Sequence, residues 1–388
     1  MIIPEIAKWA QKKGIGLMAT GDWTHPLWNK ELKANLVEDG SGLLELRSKL
    51  SENEGNQELR IKQNEDGNLP KFLLSGEVSC IYSQGGKGRR IHTLIFAPDF
   101  ATVDKINAEL TKRGCNLMSD GRPIIGLTSI QLAEVVFSIN EECLVIPAHC
   151  WTPWFALYGS KSGFDSIDEA FGQYANRIYA IETGLSSDPA MNWRIKELDS
   201  RSILSFSDAH SGPKIGREAT VFDLEELSFK AISEAIKRPA GNNTTNEQSP
   251  ISNNQSTINN EQLKIIKNYI AYTIEFYPEE GKYHYTGHRA CNVRQSPQET
   301  AKLGTICPTC GKSLTVGVMH RVEELAGRSE ADLKINKKII PGTKFTGIYS
   351  DQFPARPPYV MLVPLQEIIS ESLGSPVGSI KVQTVYEY

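Results

Sequence analysis

Only seven histidines occur in 388 residues, so where they fall carries information. His25 follows the apolar run Gly16-Leu17-Met18-Ala19-Thr20, and His92 opens the run Ile91 to Ala97. His149 closes Leu144 to Ala148, and His210 closes Ser202 to Phe206 within Ser207-Asp208-Ala209-His210. Each of these runs reads as a strand. Glu77, late in Phe72 to Ser79, and Glu182, at the end of Ile178 to Ile181, share the pattern. Polar groups at the carboxyl ends of strands in an α/β fold face one crevice. Imidazole nitrogens and carboxylate oxygens gathered there suit zinc, manganese or iron, which activate water for hydrolysis. In Asp208-x-His210 the strand period of two puts both side chains on one face. Any one of these histidines alone has a capping or packing explanation. Four at strand ends, with Asp208 and Glu77, point to a metal centre.

A second group has different chemistry. His288-x2-Cys291 is followed sixteen positions later by Cys307-x2-Cys310, and two close pairs around a loop match a structural zinc site whose four ligands close a tetrahedron. Gly311 lets the backbone turn tightly around sulfur in Cys307-Pro-Thr-Cys310-Gly-Lys. His284 is an alternative fourth ligand. A redox Cys-x-x-Cys is the competing reading, but no thioredoxin-like pattern surrounds the pair. Gly311-Lys312-Ser313 imitates the end of a phosphate-binding loop, yet the required upstream glycine is replaced by Ile306, which excludes an ATPase or helicase reading. Cys80, Cys115, Cys143 and Cys150 lie singly among apolar neighbours and read as small buried hydrophobes of a reducing compartment.

The elements that must position these groups alternate. Ile6 to Lys13 has helical spacing. The strands Phe72 to Ser79 and Ile91 to Ala97 flank Gln84-Gly85-Gly86-Lys87-Gly88, read as a flexible basic turn with Arg89 and Arg90. A helical run around Asn107, a strand at Pro123 to Leu127 and a helix at Ser129 to Ser138 follow. Further strands lie at Leu144 to Ala148, Ile178 to Ile181 and Ser202 to Phe206, then a helix at Phe222 to Ile236. Strands separated by helices imply an α/β architecture with a mostly parallel sheet or barrel. Residues 241–260 are rich in Asn, Ser, Gln and Thr, give almost nothing to bury, and read as a disordered linker. We place a domain boundary there. Beyond it come a helix at Gln262 to Ala271, the cysteine-rich segment, and a C-terminal region with a helix at Leu365 to Leu373 and a strand at Ile380 to Tyr386.

Composition sets broad bounds. A hydrophobic fraction of 40% and a charged fraction of 23% are ordinary for a globular chain of two or three domains. No apolar stretch has the length of a membrane span, and the N-terminus lacks a signal-peptide pattern, so a cytoplasmic protein is expected. A net charge of −4 argues against coating nucleic acid non-specifically. The chain after residue 260 holds 15 basic and 13 acidic residues against 27 and 33 before it, a mild basic bias.

Ordered together, Asp22/His25, Glu77, His92, His149 and Asp208-x-His210 resemble the PHP (polymerase and histidinol phosphatase) metal-dependent phosphoesterases. Thr20-Gly-Asp-Trp-Thr-His-Pro, Pro147-Ala-His-Cys-Trp-Thr-Pro-Trp-Phe, Ile181-Glu-Thr-Gly-Leu-Ser-Ser-Asp-Pro, Phe206-Ser-Asp-Ala-His-Ser and Leu314-Thr-Val-Gly-Val-Met-His-Arg-Val-Glu-Glu-Leu-Ala are similar, more narrowly, to the endonuclease Q family. The resemblance covers nearly the whole chain apart from the polar linker. It implies an α/β fold: a distorted PHP-type β/α barrel over residues 1–240, a zinc-binding module over 261–328 and a mixed C-terminal region over 329–388. It also implies cleavage of DNA 5′ of deaminated bases (uracil, hypoxanthine, xanthine) or abasic sites, with damaged double- or single-stranded DNA as partner alongside replication or repair proteins.

Carried over residue by residue, the active-site ligands are His25, Glu77, His92, His149, Asp208 and His210, with Asp22 ligating or orienting His25. These hold two or three divalent ions, Zn²⁺, Mn²⁺ or Mg²⁺. Glu77, with two oxygens, bridges, and Asp208, Glu77 and Asp22 form the catalytic set. The structural Zn²⁺ ligands are His288, Cys291, Cys307 and Cys310; related proteins usually carry Cys where His288 stands. PHP proteins open on a strand bearing His-x-His, and no histidine precedes His25. The expectation is a chain that extends further upstream, or one that has lost a metal position and is impaired. Selecting a damaged base requires flipping it. Trp151, Trp154, Phe155 and Tyr158 after His149, and Trp23 and Trp28 around His25, either stack on such a base or fill the core. Lys214 and Arg217 are candidates for phosphate contact. A phosphatase acting on a small ester, and a non-catalytic zinc-containing DNA-binding protein, are the competing readings.

Overall fold

The structure, a computed structural model, describes residues 1–47, 69–119, 121–238 and 268–387. The expected linker 241–260 and most of the expected helix from Gln262 lie outside the described residues. Sixteen strands occur among them: β1 (Leu17–Ala19), β2 (Leu36–Glu38), β3 (Leu44–Leu46), β4 (Lys71–Gln84), β5 (Lys87–Ala97), β6 (Ile124–Ile125), β7 (Leu144–Pro147) and β8 (Ala180–Glu182). Then follow β9 (Ser202–Leu204), β10 (Ala219–Asp223), β11 (Tyr269–Glu275), β12 (Thr286–His288), β13 (Val293–Gln295), β14 (Ile335–Ile339), β15 (Thr346–Ser350) and β16 (Tyr359–Met361). The architecture is mixed α/β, as the alternation of elements implies, but the strand directions are not mostly parallel. β1 and β6 run parallel to β4, and β8 parallel to β9, whereas β4 with β5 and β5 with β7 are antiparallel.

The β4–β5 hairpin is the longest pairing. Gln84 pairs with Lys87, so the connection is the two residues Gly85 and Gly86, with φ +60° and +73°. Positive φ at both positions is what a tight hairpin turn matching strand twist requires, and glycine meets it without steric cost. The segment expected to be a flexible basic turn is therefore a fixed corner. Arg89, expected on its surface, is 6% exposed and pairs with Glu169 at 2.8 Å. The strands also run further than their apolar cores. His92 and Glu77 lie inside them instead of opening or closing them, because cross-strand pairing extends a strand past its hydrophobic run.

The helix Ser129–Ile139 starts where Thr128 and Gln131 exchange reciprocal hydrogen bonds, a capping box that satisfies two otherwise unpaired N–H groups. Two other segments differ from expectation. Tyr269–Ala271 belongs to β11, and Ala219–Asp223 is β10, the helix there beginning only at Phe229. These two strands pair antiparallel and lead into β16, β15 and β14, so pairing overrides local helical spacing. Ile380–Glu387 is a helix, not a strand. It packs against the helix Leu365–Leu373 and buries Val382 while leaving Ile380 83% exposed, so packing on a neighbouring helix overrides its strand-like spacing. The five-stranded sheet thus joins strands from before residue 239 and after residue 267. One continuous core runs from Ile3 and Trp23 through Phe72, Val78, Ile95 and Trp151 to Val318 and Tyr359. No helix among the described residues is long and apolar enough to cross a membrane.

Gly76 in β4 shows how close this packing is. A Cβ there would stand 2.9 Å from Cε2 of Trp23, which is fully buried. Gly76→Ala is expected to cost about 1–3 kcal/mol through overpacking, read as a lowered urea midpoint with an unchanged slope. An unchanged midpoint would refute the tight Trp23 contact.

Candidate active site and structural metal site

The hairpin register builds the site. Ser79 lies opposite His92, and Glu77 is two residues from Ser79, so Glu77 and His92 share one face of the sheet. His149 reaches the same point from the loop after β7. Nδ1 of His92 is 3.0 Å from Nε2 of His149, and Oε1 of Glu77 is 3.1 Å from the former and 3.4 Å from the latter. Ligands about 2.0–2.1 Å from a tetrahedral ion stand roughly 3.3 Å apart, so these three atoms have the spacing of one face of a coordination shell. An imidazole–imidazole–carboxylate set fits a divalent ion of the zinc or manganese type.

Electrostatics follow from burial and neighbours. Burial pushes the Glu77 carboxyl up, but hydrogen bonds with His149 and His92 outweigh it and hold it well below the usual range. Burial lowers His92. His149 is also opposed by burial, yet its hydrogen bond to Glu77 and the charges of Glu77, Glu182 and Asp208 raise it.

Glu182, 3% exposed, holds the His149 loop. Its carboxylate accepts the backbone N–H of His149, and its carbonyl accepts that of Cys150 at 3.0 Å. This fixes His149 at φ +31°. Burial above all raises the Glu182 carboxyl to about 7, with His149 opposing and Asp208 and Glu77 adding to the rise. Asp208 sits in a turn with φ +42° and is close enough to act on both His149 and Glu182. Arg217 pins that turn, donating through Nε to the Ser207 carbonyl at 2.8 Å and through Nη2 to the Asp208 carbonyl at 3.1 Å. Arg217, a candidate for phosphate contact, here braces the backbone of Asp208.

Beneath the loops lies a group of buried acids that sequence reasoning missed, because its members come from distant strands. Glu275, fully buried, accepts hydrogen bonds from Thr183 and Ser205 at 3.0 Å each. Glu218, 1% exposed, accepts from the Phe276 backbone at 3.3 Å. Burial, and the charge of Glu275 on Glu218, raise both carboxyls well above the glutamate range.

Other expected residues are placed differently. His25 precedes the helix Pro26–Asn35, and His210 has a side chain 76% exposed, 3.8 Å from Asp208. Neither joins the Glu77, His92 and His149 group. Asp22, φ +49°, lies against Gly121. Trp151 is 1% exposed, stacked on Tyr158, with its N–H on Asn192 at 2.7 Å, so it is core and unavailable to a base. Trp23 is core as well, and the Trp28 N–H is used by the Gly21 carbonyl at 2.9 Å. Lys214 is paired with Glu367 at 2.6 Å. Trp154 is half-buried, edge-on to Tyr283.

His288, Cys291, Cys307 and Cys310 bring their ligand atoms within 4.8 Å of one another. Cys310 Sγ stands 3.3 Å from His288 Nδ1, and the Gly311 N–H returns to the Cys307 carbonyl at 2.9 Å, closing the knuckle. Three thiols and an imidazole fit zinc. His284, 4% exposed, is outside this group. The module docks on the loop following His149. Arg321 donates to the carbonyls of Tyr158 (3.0 Å) and Phe164 (3.1 Å), and Ser160 donates to that of Val316 at 3.0 Å.

Fold and site together define a mixed α/β protein with two candidate metal centres. No family model matches the chain. It is 33% identical over 246 residues to the uncharacterised protein MJ0043 of Methanocaldococcus jannaschii and 32% identical over 259 residues to the uncharacterised protein YqxK of Bacillus subtilis. These matches cover 62% and 66% of this chain but only 24% and 57% of those proteins. Two solved structures match along its whole length. One is the lesion-specific endonuclease PfuEndoQ of Pyrococcus furiosus (TM-score 0.72, 28% identity, 77% of that chain). The other is an endonuclease Q in complex with a 27-mer duplex carrying an abasic lesion at the active site (TM-score 0.71, 29% identity, 78% of that chain). Over its whole length the chain is thus similar in fold and in sequence to endonuclease Q.

Two outcomes follow for this region. Cys310→Ser should remove about one equivalent of bound zinc per chain, measured by elemental analysis, and lower the melting temperature; unchanged zinc would refute the four-ligand site. A carboxyl whose folded pKa lies above its unfolded value contributes stability that is complete at low pH and is lost as pH rises. Stability should therefore fall as pH rises from the ordinary glutamate value of 4.5 through about 8 for Glu275 and about 10 for Glu218, and Glu218→Gln should flatten that fall in thermal melts. An unaltered pH slope would refute the protonated acid group.

Proposed function

We propose that this chain belongs to a metal-dependent DNA endonuclease of repair, which nicks the strand 5′ of deaminated bases or abasic sites. The observation that carries the reading is the convergence of Glu77, His92 and His149 within a fold that matches a lesion-specific endonuclease and a DNA-bound relative. In this reading residues 1–240 form the PHP phosphoesterase part, 261–328 the zinc module and 329–388 a C-terminal region, with the β10–β11–β16–β15–β14 sheet joining strands of all three. The enzyme works in the cytoplasm on nucleoid DNA alongside replication or repair proteins. Glu77, His92 and His149 would hold a divalent ion, with Asp208 and His210 closing the site from the β9 side and Asp22 and His25 from the β1 side. When bound, such ions supply Lewis acidity and a water of lowered pKa.

The chain's own residues supply geometry. Glu182 keeps the His149 imidazole aimed at Glu77, and Arg217 keeps the Asp208 turn in its positive-φ conformation. Among the aromatic candidates, Trp154 beside Tyr283 remains open to stack on a displaced base, since Trp151 is buried. A phosphatase acting on a small ester gives no reason for the zinc module docked beside the His149 loop, which favours the nuclease reading.

The test is incubation with abasic, uracil-, inosine-containing and undamaged duplexes in zinc, manganese or magnesium. Nicks 5′ of the lesion are expected, and Asp208→Ala should abolish them while DNA binding persists. No nicking of any duplex would defeat the proposal, and full activity of Asp208→Ala would defeat the site assignment.

A further inference from the structure

A cation, Arg122, touches the Glu77, His92 and His149 group. Nη1 of Arg122 lies 3.1 Å from each carboxylate oxygen of Glu77. A single nitrogen straddles both oxygens, so the rest of the guanidinium fork faces elsewhere, and neither Nε nor Nη2 makes a hydrogen bond among the described residues. Exposure orders the group from inside to outside. The side chains of His92, His149 and Glu77 are 9%, 15% and 16% exposed, while that of Arg122 is 34% exposed. An anion arriving from solvent therefore meets the guanidinium at the rim before it meets the three ligands.

The arginine is also held in place. The carbonyl of Pro123 accepts from the Ser79 backbone at 2.9 Å, and β6 then pairs with β4. On the other side Gly121 lies so close to Asp22 that a Cβ there would run into its carboxylate. Arg122 is thus clamped between the strand carrying Glu77 and the loop carrying Asp22. A planar guanidinium with unused donors, fixed beside a carboxylate and open to solvent, suits bidentate recognition of a phosphate group.

We infer that Arg122 is the anion-binding residue of this centre, whose guanidinium takes the non-bridging oxygens of the phosphate group presented to Glu77, His92 and His149. This rests on the phosphoesterase reading of the site but not on DNA as substrate. The test titrates inorganic phosphate into the full chain supplied with zinc, for wild type, Arg122→Ala, Arg122→Gln and Arg122→Lys. Calorimetry reads binding, and elemental analysis of the same samples reads metal content. Loss of a charge-assisted pair should weaken phosphate binding about tenfold or more in the Ala and Gln variants, with metal content unchanged. Arg122→Lys should retain part of the affinity. Three results would overturn the assignment: no phosphate binding by wild type, equal binding by the Ala and Gln variants, or loss or gain of metal as the sole change. Duplex nicking is scored separately, so an Arg122 that binds phosphate in a protein that cuts no DNA would leave this inference standing and the nuclease proposal fallen.

Discussion

A two-residue turn sets the geometry on which the candidate centre depends. With Gly85 and Gly86 as the whole connection, Gln84 must face Lys87 and every later pair of the hairpin follows. Slipping the register by one residue would turn His92 to the far side of the sheet from Glu77. The carboxylate would then be left without the imidazole hydrogen bond that offsets its burial. The β4–β5 corner stands at one end of a 14-residue strand, yet it decides whether two side chains seven and five residues away meet. Steric freedom at two glycines is converted into placement of metal-ligand atoms.

The third member of the group is positioned by other means. His149 occupies a backbone conformation that costs free energy for a residue with a Cβ, and the buried carboxylate of Glu182 holds it there. Glu182 in turn sits above Thr183, Ser205 and Glu275, so the loops that end β8 and β9 rest on a hydrogen-bonded acid brought in by β11. The strand that follows the polar segment is thus part of the support of the centre.

The residue types and their order were readable without coordinates: Glu77, His92 and His149 come together, although the first two lie inside their strands and not at the ends, and the His288–Cys310 set converges as its spacing implies. What could not be read was direction and partnership. β10 and β11 have helical or ambiguous spacing, and only their mutual pairing makes them strands. Nothing local distinguishes the buried Trp151 from the half-buried Trp154 three residues later, because Asn192 and Tyr158, which retain Trp151, arrive from elsewhere in the fold. Arg122 escaped for the same reason: its carboxylate partner is 45 residues away in sequence. Lys214 and Arg217 look alike as surface cations, yet one closes on Glu367 and the other braces the Asp208 turn.

The docking of the cysteine-rich module on residues 158–164 has a thermodynamic consequence. Those residues continue the loop that starts at His149, and their carbonyls are tied to Arg321 of the helix behind the knuckle. Occupancy of the thiolate site and order in the imidazole site are then linked functions. By reciprocity, whatever factor one occupied centre contributes to the affinity of the other, the second returns to the first. A metal held by the thiolate group would thus brace, through Arg321, the loop that runs on from His149.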